Sequence, residues 1–174
     1  MKNNLFIPIF LFAFLFSQEY LEVGMKATDW KFEDADGTIF TMASWSEDIL
    51  QINYVDPDES ELNEHFNDAV KYAIDVDSLI VRDAFKGIGI ADCNSTWKPN
   101  FAIRLIGGAK AKKYDTTVLF DYDGDLRKAW GLMEDSYNVI ILDQDRIARA
   151  IIRDRIPEEQ VADLVQLIIN LQNK

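Results

Sequence analysis

The chain carries one cysteine, Cys93, and one histidine, His65. A lone thiol excludes both an intramolecular disulfide and a Cys-x-x-Cys dithiol. Cys93 follows the apolar run Gly87-Ile88-Gly89-Ile90-Ala91 and opens the loop stretch Asp92–Lys98, a placement compatible with exposure. A reactive thiol needs a neighbouring cation, a helix N-terminus or a metal, and the adjacent Asp92 acts in the opposite sense. Cys93 is thus the sole candidate for catalysis by a thiol, with poor surroundings for it. His65 sits beside Phe66 in a helical pattern and is expected on a helix surface, with no usual zinc spacing around it.

Carboxylates offer the remaining chemistry. Asp121, Asp123 and Asp125, in Asp121-Tyr122-Asp123-Gly124-Asp125, are the best candidate calcium ligands. The Gly and Glu places of an EF-hand loop fall on Leu126 and Leu132, so only an irregular site is open to them. A second acidic group is Asp56-Pro57-Asp58-Glu59-Ser60, between the apolar run Ile49–Val55 and an amphipathic helical pattern. Asp56 suits a helix N-cap, Pro57 the first turn, and Glu59 the capping-box spacing. Asp58, Glu59 and Glu61 would favour the positive end of the helix dipole. There is no Walker A loop, and Gly87-Ile88-Gly89 lacks the third glycine of a dinucleotide fingerprint. No Gly-x-Ser-x-Gly elbow occurs either. No cofactor is expected.

These groups need elements to hold them. Asp36-Gly37, between Phe32-Glu33-Asp34 and Thr38-Ile39-Phe40, signals a hairpin. Asp121–Gly124 before Asp125–Trp130, and Asp143-Gln144-Asp145 before Arg146–Arg149, repeat the device and predict two more. Leu62, Phe66, Ala69, Val70, Ala73 and Ile74 share one face of a helix after the acidic elbow. Phe101, Ala102, Leu105, Ile106 and Ala109 share one face of a second helix, which Gly107-Gly108 weakens or divides. Thr117–Phe120 and Val139–Leu142 are continuous apolar runs of the kind found in central strands. A last helix starts at Pro157-Glu158-Glu159, with Val161, Leu164, Val165, Ile168 and Ile169 on its apolar face.

The 174 residues are 48% hydrophobic, enough for one domain with its own core. A formal charge of -12 disfavours nucleic acid and anionic membrane surfaces alike. Even the densest basic run, Lys110 with Lys112 and Lys113, is offset by nearby acids. Lys2 followed by the apolar run Leu5–Phe16 reads as a secretory signal, since a spanning helix needs about 20 residues. Residues 1–17 are read as that signal peptide, and residues 18–174 as a single domain. The protein is then periplasmic or secreted, with no stable membrane span after signal removal.

The order of elements resembles the thioredoxin-like superfamily, in its peroxiredoxin-like branch. Val23-Gly24, Asp29-Trp30-Lys31-Phe32 and Asp36-Gly37 look like the opening of that branch. Leu119–Gly124 with Ala129-Trp130-Gly131-Leu132, and Ile140-Ile141-Leu142-Asp143, look like its later strands and helix. The signal sequence, the missing cysteines, Ala129-Trp130, Ile141-Leu142-Asp143 and Pro157–Val161 are similar to the small YtfJ-type exported proteins, a family without an established activity. The resemblance implies an α/β fold with a central mixed β-sheet and helices on both faces. It also implies a reactive elbow at Asp56–Ser60, and there the chain departs. A peroxiredoxin Pro-x-x-x-Thr-x-x-Cys motif placed on Pro57 lands on Glu61 and Glu64, which cannot form a sulfenic acid. The motif arginine matches Tyr137. The cis-proline of thioredoxins, taken to precede Thr117–Asp121, is replaced by Asp115-Thr116. The expectation is a redox-inactive binding or scaffold module with an unidentified protein partner. Asp56, Pro57, Asp58, Glu59, Ser60 and Thr116 would form its surface. A single-cysteine redox enzyme using Cys93 and a calcium-stabilised structural protein are the alternatives.

Overall fold

The computed structural model describes residues 20–173, so the signal read at residues 1–17 lies outside the described residues. Seven strands form one mixed sheet. They are β1 (Lys31–Asp34), β2 (Ile39–Thr41), β3 (Ile49–Val55), β4 (Phe85–Asp92), β5 (Thr117–Asp121), β6 (Tyr137–Leu142) and β7 (Ala148–Arg153). Four helices join them: α1 (Glu64–Asp75), α2 (Asn100–Tyr114), α3 (Asp125–Trp130) and α4 (Glu158–Gln172). The strand order is β2-β1-β5-β4-β3-β6-β7. β3, β4 and β5 are parallel, while β6 runs antiparallel beside β3. The mixed sheet with helices on both faces is the architecture expected from the sequence.

Strand alternation sorts the core into two faces. Leu50, Ile52 and Tyr54 of β3 join Ile88, Ile90, Leu119 and Ile140 against Leu126 and Trp130 of α3. On the other face, Ile49, Val139 and Ile141 pack under Phe66 and Val70 of α1 and Ile168 and Leu171 of α4. α2 covers β5 more narrowly, through Ile103 on Phe120 and Cys93.

Five local expectations are corrected. The Asp36-Gly37 and Asp143–Asp145 joints are hairpins. The joint at Asp121–Gly124 instead turns into α3, because the Asp121 carboxylate accepts the N–H groups of Asp125 and Leu126. α1 begins at Glu64, not at the Asp56–Pro57 elbow. Its start is pinned by buried Asn63, whose side chain donates to Asp154 O at 3.1 Å and accepts Ile156 N–H at 2.8 Å. His65 Nε2 lies 2.9 Å from Ile156 O, so this ring is half-buried against the same loop rather than a free surface group. α2 runs unbroken through Gly107-Gly108. Gly107 lies on the sheet, where a Cβ would come 2.8 Å from the Phe120 ring. That contact turns Phe101 and Leu105 outward, although the apolar pattern had put them on the packed face.

Candidate functional site

The elbow is a series of tight turns. Asp56 N–H donates to Ser136 O at 2.9 Å, extending the β3–β6 ladder by one residue. Glu59 N–H then bonds Asp56 O, Leu62 N–H bonds Glu59 O, and Glu64 N–H bonds Glu61 O. The Asp56 carboxylate accepts Asp58 N–H at 2.8 Å, an Asx turn rather than a helix cap. Asp56 is only 5% exposed. Burial, reinforced by Asp135, Asp92 and Glu59 and opposed by Lys98, pushes its carboxyl up to about 6. Asp58 reaches across to the loop after β4, accepting Thr96 Oγ1–H at 2.7 Å and pairing with Lys98. Pro57 and Ser60 are half-buried, and Glu59 is exposed.

Beneath the elbow lies a buried charged layer. Arg127 Nε donates to Asp92 Oδ2 at 2.7 Å, and both side chains are largely enclosed. Ser95 Oγ–H and Asn94 N–H also donate to Asp92. Asp121 is 1% exposed. Its two oxygens are taken by Tyr54 O–H, Asp125 N–H and Leu126 N–H. Three of its acceptor positions are filled in this way, and no group of potential metal ligands forms among the described residues. Asp121 is thus committed to the start of α3, while Asp123 and Asp125 are exposed.

Cys93 is buried, against the expectation of an exposed loop position. It is 6% exposed, packed with Ile103 and Phe120, and its Sγ–H lies 3.6 Å from Ala91 O. Burial, with Asp92 and Asp121 adding and Arg104 opposing, pushes the thiol up to about 12. Such a thiol holds almost no thiolate at neutral pH, and thiolate is the nucleophile.

Thr116 does not join the elbow. Because β5 runs parallel to β3, its first residues lie toward the opposite end of the sheet from Asp56. The loop facing the elbow is the one before antiparallel β6, at Asp135-Ser136. Thr116 Oγ1–H instead donates to Gly87 O at 2.9 Å, beside a cavity between α1 and α2 that Pro57 and Ser60 also line.

Two features escaped the sequence reading. Trp97, Phe101 and Leu105, four residues apart, are 85%, 75% and 74% exposed. Their even spacing was visible, but which side of α2 met the sheet was not. The second is a chain of amides on the sheet face. Gln51 Nε2 donates to Asn53 Oδ1 and Asn67 Oδ1, Asn53 Nδ2 to Asn67 Oδ1, and Asn67 Nδ2 to the Tyr137 hydroxyl. Two amides at alternate places in Ile49–Val55 were the signal for it.

Neither protein-family models nor curated protein sequences match the chain. Solved structures do. The peroxidoxin BcpB of Mycobacterium tuberculosis is 16% identical, with a TM-score of 0.61 over 87% of this chain and 97% of that one. The thioredoxin domain of a Bacteroides vulgatus thiol-disulfide oxidoreductase is 12% identical, at 0.61 over 86% and 99%. The exposed lipoprotein thioredoxin of Streptococcus pneumoniae is 12% identical, at 0.58 over 80% and 99%. At such identities the likeness establishes the fold, which is thioredoxin-like.

Proposed function

We propose that the protein is a binding module on a thioredoxin-like scaffold that engages a protein partner without thiol chemistry. The observation that carries this is the exposed stripe Trp97-Phe101-Leu105. It leaves the loop that Asp58 holds against the elbow through Thr96 and Lys98. Large exposed apolar side chains beside polar ground mark interaction surfaces, and aromatics are enriched at interface cores. The elbow adds the exposed Asp58 and Glu59 to this surface, in place of a reactive cysteine. The leader-like Leu5–Phe16 run, and the exposed lipoprotein among the structural relatives, support a site of action in the periplasm or outside the cell. The residues similar to YtfJ-type exported proteins belong to the same reading.

The test has two arms. Insulin reduction and peroxide consumption are measured for the protein and for Cys93→Ser; equal, background-level rates are expected, and Cys93-dependent turnover would overturn the redox-inactive assignment. Protein captured from the exported fraction is then compared between the parent and a Trp97→Ser/Phe101→Ser variant. Loss of one specific captured protein at unchanged melting temperature is expected. Identical capture by both would remove the stripe from the interface.

A further inference from the structure

The helices on one face of the sheet do not close over it. α1 and α4 cover β3, β6 and β7, and α2 covers β5, leaving β4 and part of β3 beneath a gap. The gap is a cavity of about 800 Å3, floored by Gly87, Gly89 and the amides of Gln51 and Asn53. Small-molecule sites fall in the range of about 300–1,000 Å3.

Three observations suit it to an occupant. The first is glycine in the middle of a central strand. Gly87 and Gly89 stand opposite Gln51 and Asn53 on β3, and Gly89 also opposite Val118 on β5. Neither glycine is needed for packing: a Cβ at Gly87 would meet Phe85 at 3.7 Å, and one at Gly89 would meet Val118 at 3.7 Å, both ordinary contacts. Nor does either have a positive φ. A strand interior loses stability with glycine and often keeps it where a ligand approaches the backbone closely. The second observation is Gln51. It is 2% exposed and lines the cavity, yet its Oε1 has no hydrogen-bond donor. A buried acceptor left open in this way destabilises the fold until a donor arrives. Third, acidic side chains around the cavity outnumber cations, six to four, and two of those cations, Lys71 and Arg82, are paired with Asp75.

We propose that this cavity binds a small apolar amine. Its flat hydrocarbon body lies over Gly87 and Gly89, and its N–H completes the amide chain at Gln51 Oε1. The surplus of carboxylates favours a neutral or cationic molecule over an anion. The apolar walls are Val70, Ile74, Ile103 and Val118. Trp97, Phe101 and Leu105 do not line this cavity, and the proposal stands without the partner-protein reading.

The test uses N-phenyl-1-naphthylamine, a neutral aromatic amine with one N–H, titrated into the purified protein and followed by its fluorescence. Saturable one-to-one binding is expected, with the anionic anilinonaphthalene sulfonate binding more weakly. Gly89→Val fills the floor with a strand-favouring side chain and weakens binding by about tenfold or more. Gly89→Ala is the milder companion should the valine variant melt early, and it weakens binding in the same direction. The amide signals of Gly87 and Gly89 move in the nuclear magnetic resonance spectrum of the parent on addition of the amine. Trp97→Ser/Phe101→Ser leaves the affinity unchanged. Absence of saturable binding, affinity equal to the parent's in both Gly89 variants, or loss of binding in the stripe variant would each overturn the proposal.

Discussion

The Tyr54 hydroxyl donates to Asp121 Oδ2 at 3.0 Å, joining β3 to the end of β5 across 67 positions of sequence. The same carboxylate holds the first N–H groups of α3. Asp121→Ala strands one buried hydroxyl and two N–H groups, so a loss of about 2–4 kcal/mol is expected in urea denaturation. Tyr54→Phe removes one donor and leaves the carboxylate its other two partners, for a loss of about 1 kcal/mol. Equal losses in the two variants would mean that Asp121 does not organise α3. Calcium should leave the parent's melting temperature unchanged; a rise reversed by chelator would restore the metal reading of this loop.

Asp92 and Arg127 form the most enclosed ion pair of the described residues. Arg127→Met leaves a carboxylate buried without its cation, which costs about 3–5 kcal/mol. Adding Asp92→Asn to that variant should recover a large part of the loss, since the uncompensated charge is gone. A double variant no more stable than Arg127→Met would show that packing of the Arg127 stem, not charge, dominates.

Asp56 ties pH to stability with a definite sign. Its carboxyl is raised from the ordinary 3.8 to about 6 in the folded chain, so ionisation opposes folding. Its contribution is fully present below the ordinary carboxylate value and is lost as pH rises through the folded value. Asp56→Asn stays neutral and can still accept Asp58 N–H. It should be more stable than the parent by about 1 kcal/mol or more near pH 8, and the difference should vanish toward about pH 4. Denaturation curves at both pH values decide it; a constant difference would mean that Asp56 does not titrate in this window.

Cys93 should resist alkylation. Iodoacetamide at neutral pH should label it at the rate of global opening in the native protein and fully in urea, as read by mass spectrometry. Native labelling as fast as that of a free thiol would contradict its burial beneath Ile103.

Much of the scaffold was legible because burial writes itself into β3, β6 and α4. Their apolar runs and faces are those of the sheet centre and its cover. The placement of Thr116 was not legible. Strand direction decides which loops share an end, and Thr117–Asp121 reads the same whether β5 is parallel or antiparallel to β3. The start of α1 was misread for a related reason. Asp56 and Pro57 satisfy every local rule for a cap, but Asn63 finds Asp154 and Ile156 more than ninety positions away, and that contact prevails. Cys93 looked like a loop residue by sequence; Cys93 N–H bonding to Asp121 O draws it under α2.

Gly107 has a consequence for the whole face of the sheet. With no Cβ between them, α2 rides directly on Phe120, and this one residue sets how low the helix sits beside β4. The roof height of the neighbouring cavity is therefore adjustable without any change to its floor. A chain carrying alanine there would have to lift or slide the helix. The size of molecule admitted over Gly87 and Gly89 would then be tuned by a methyl group that touches neither the molecule nor the strand beneath it.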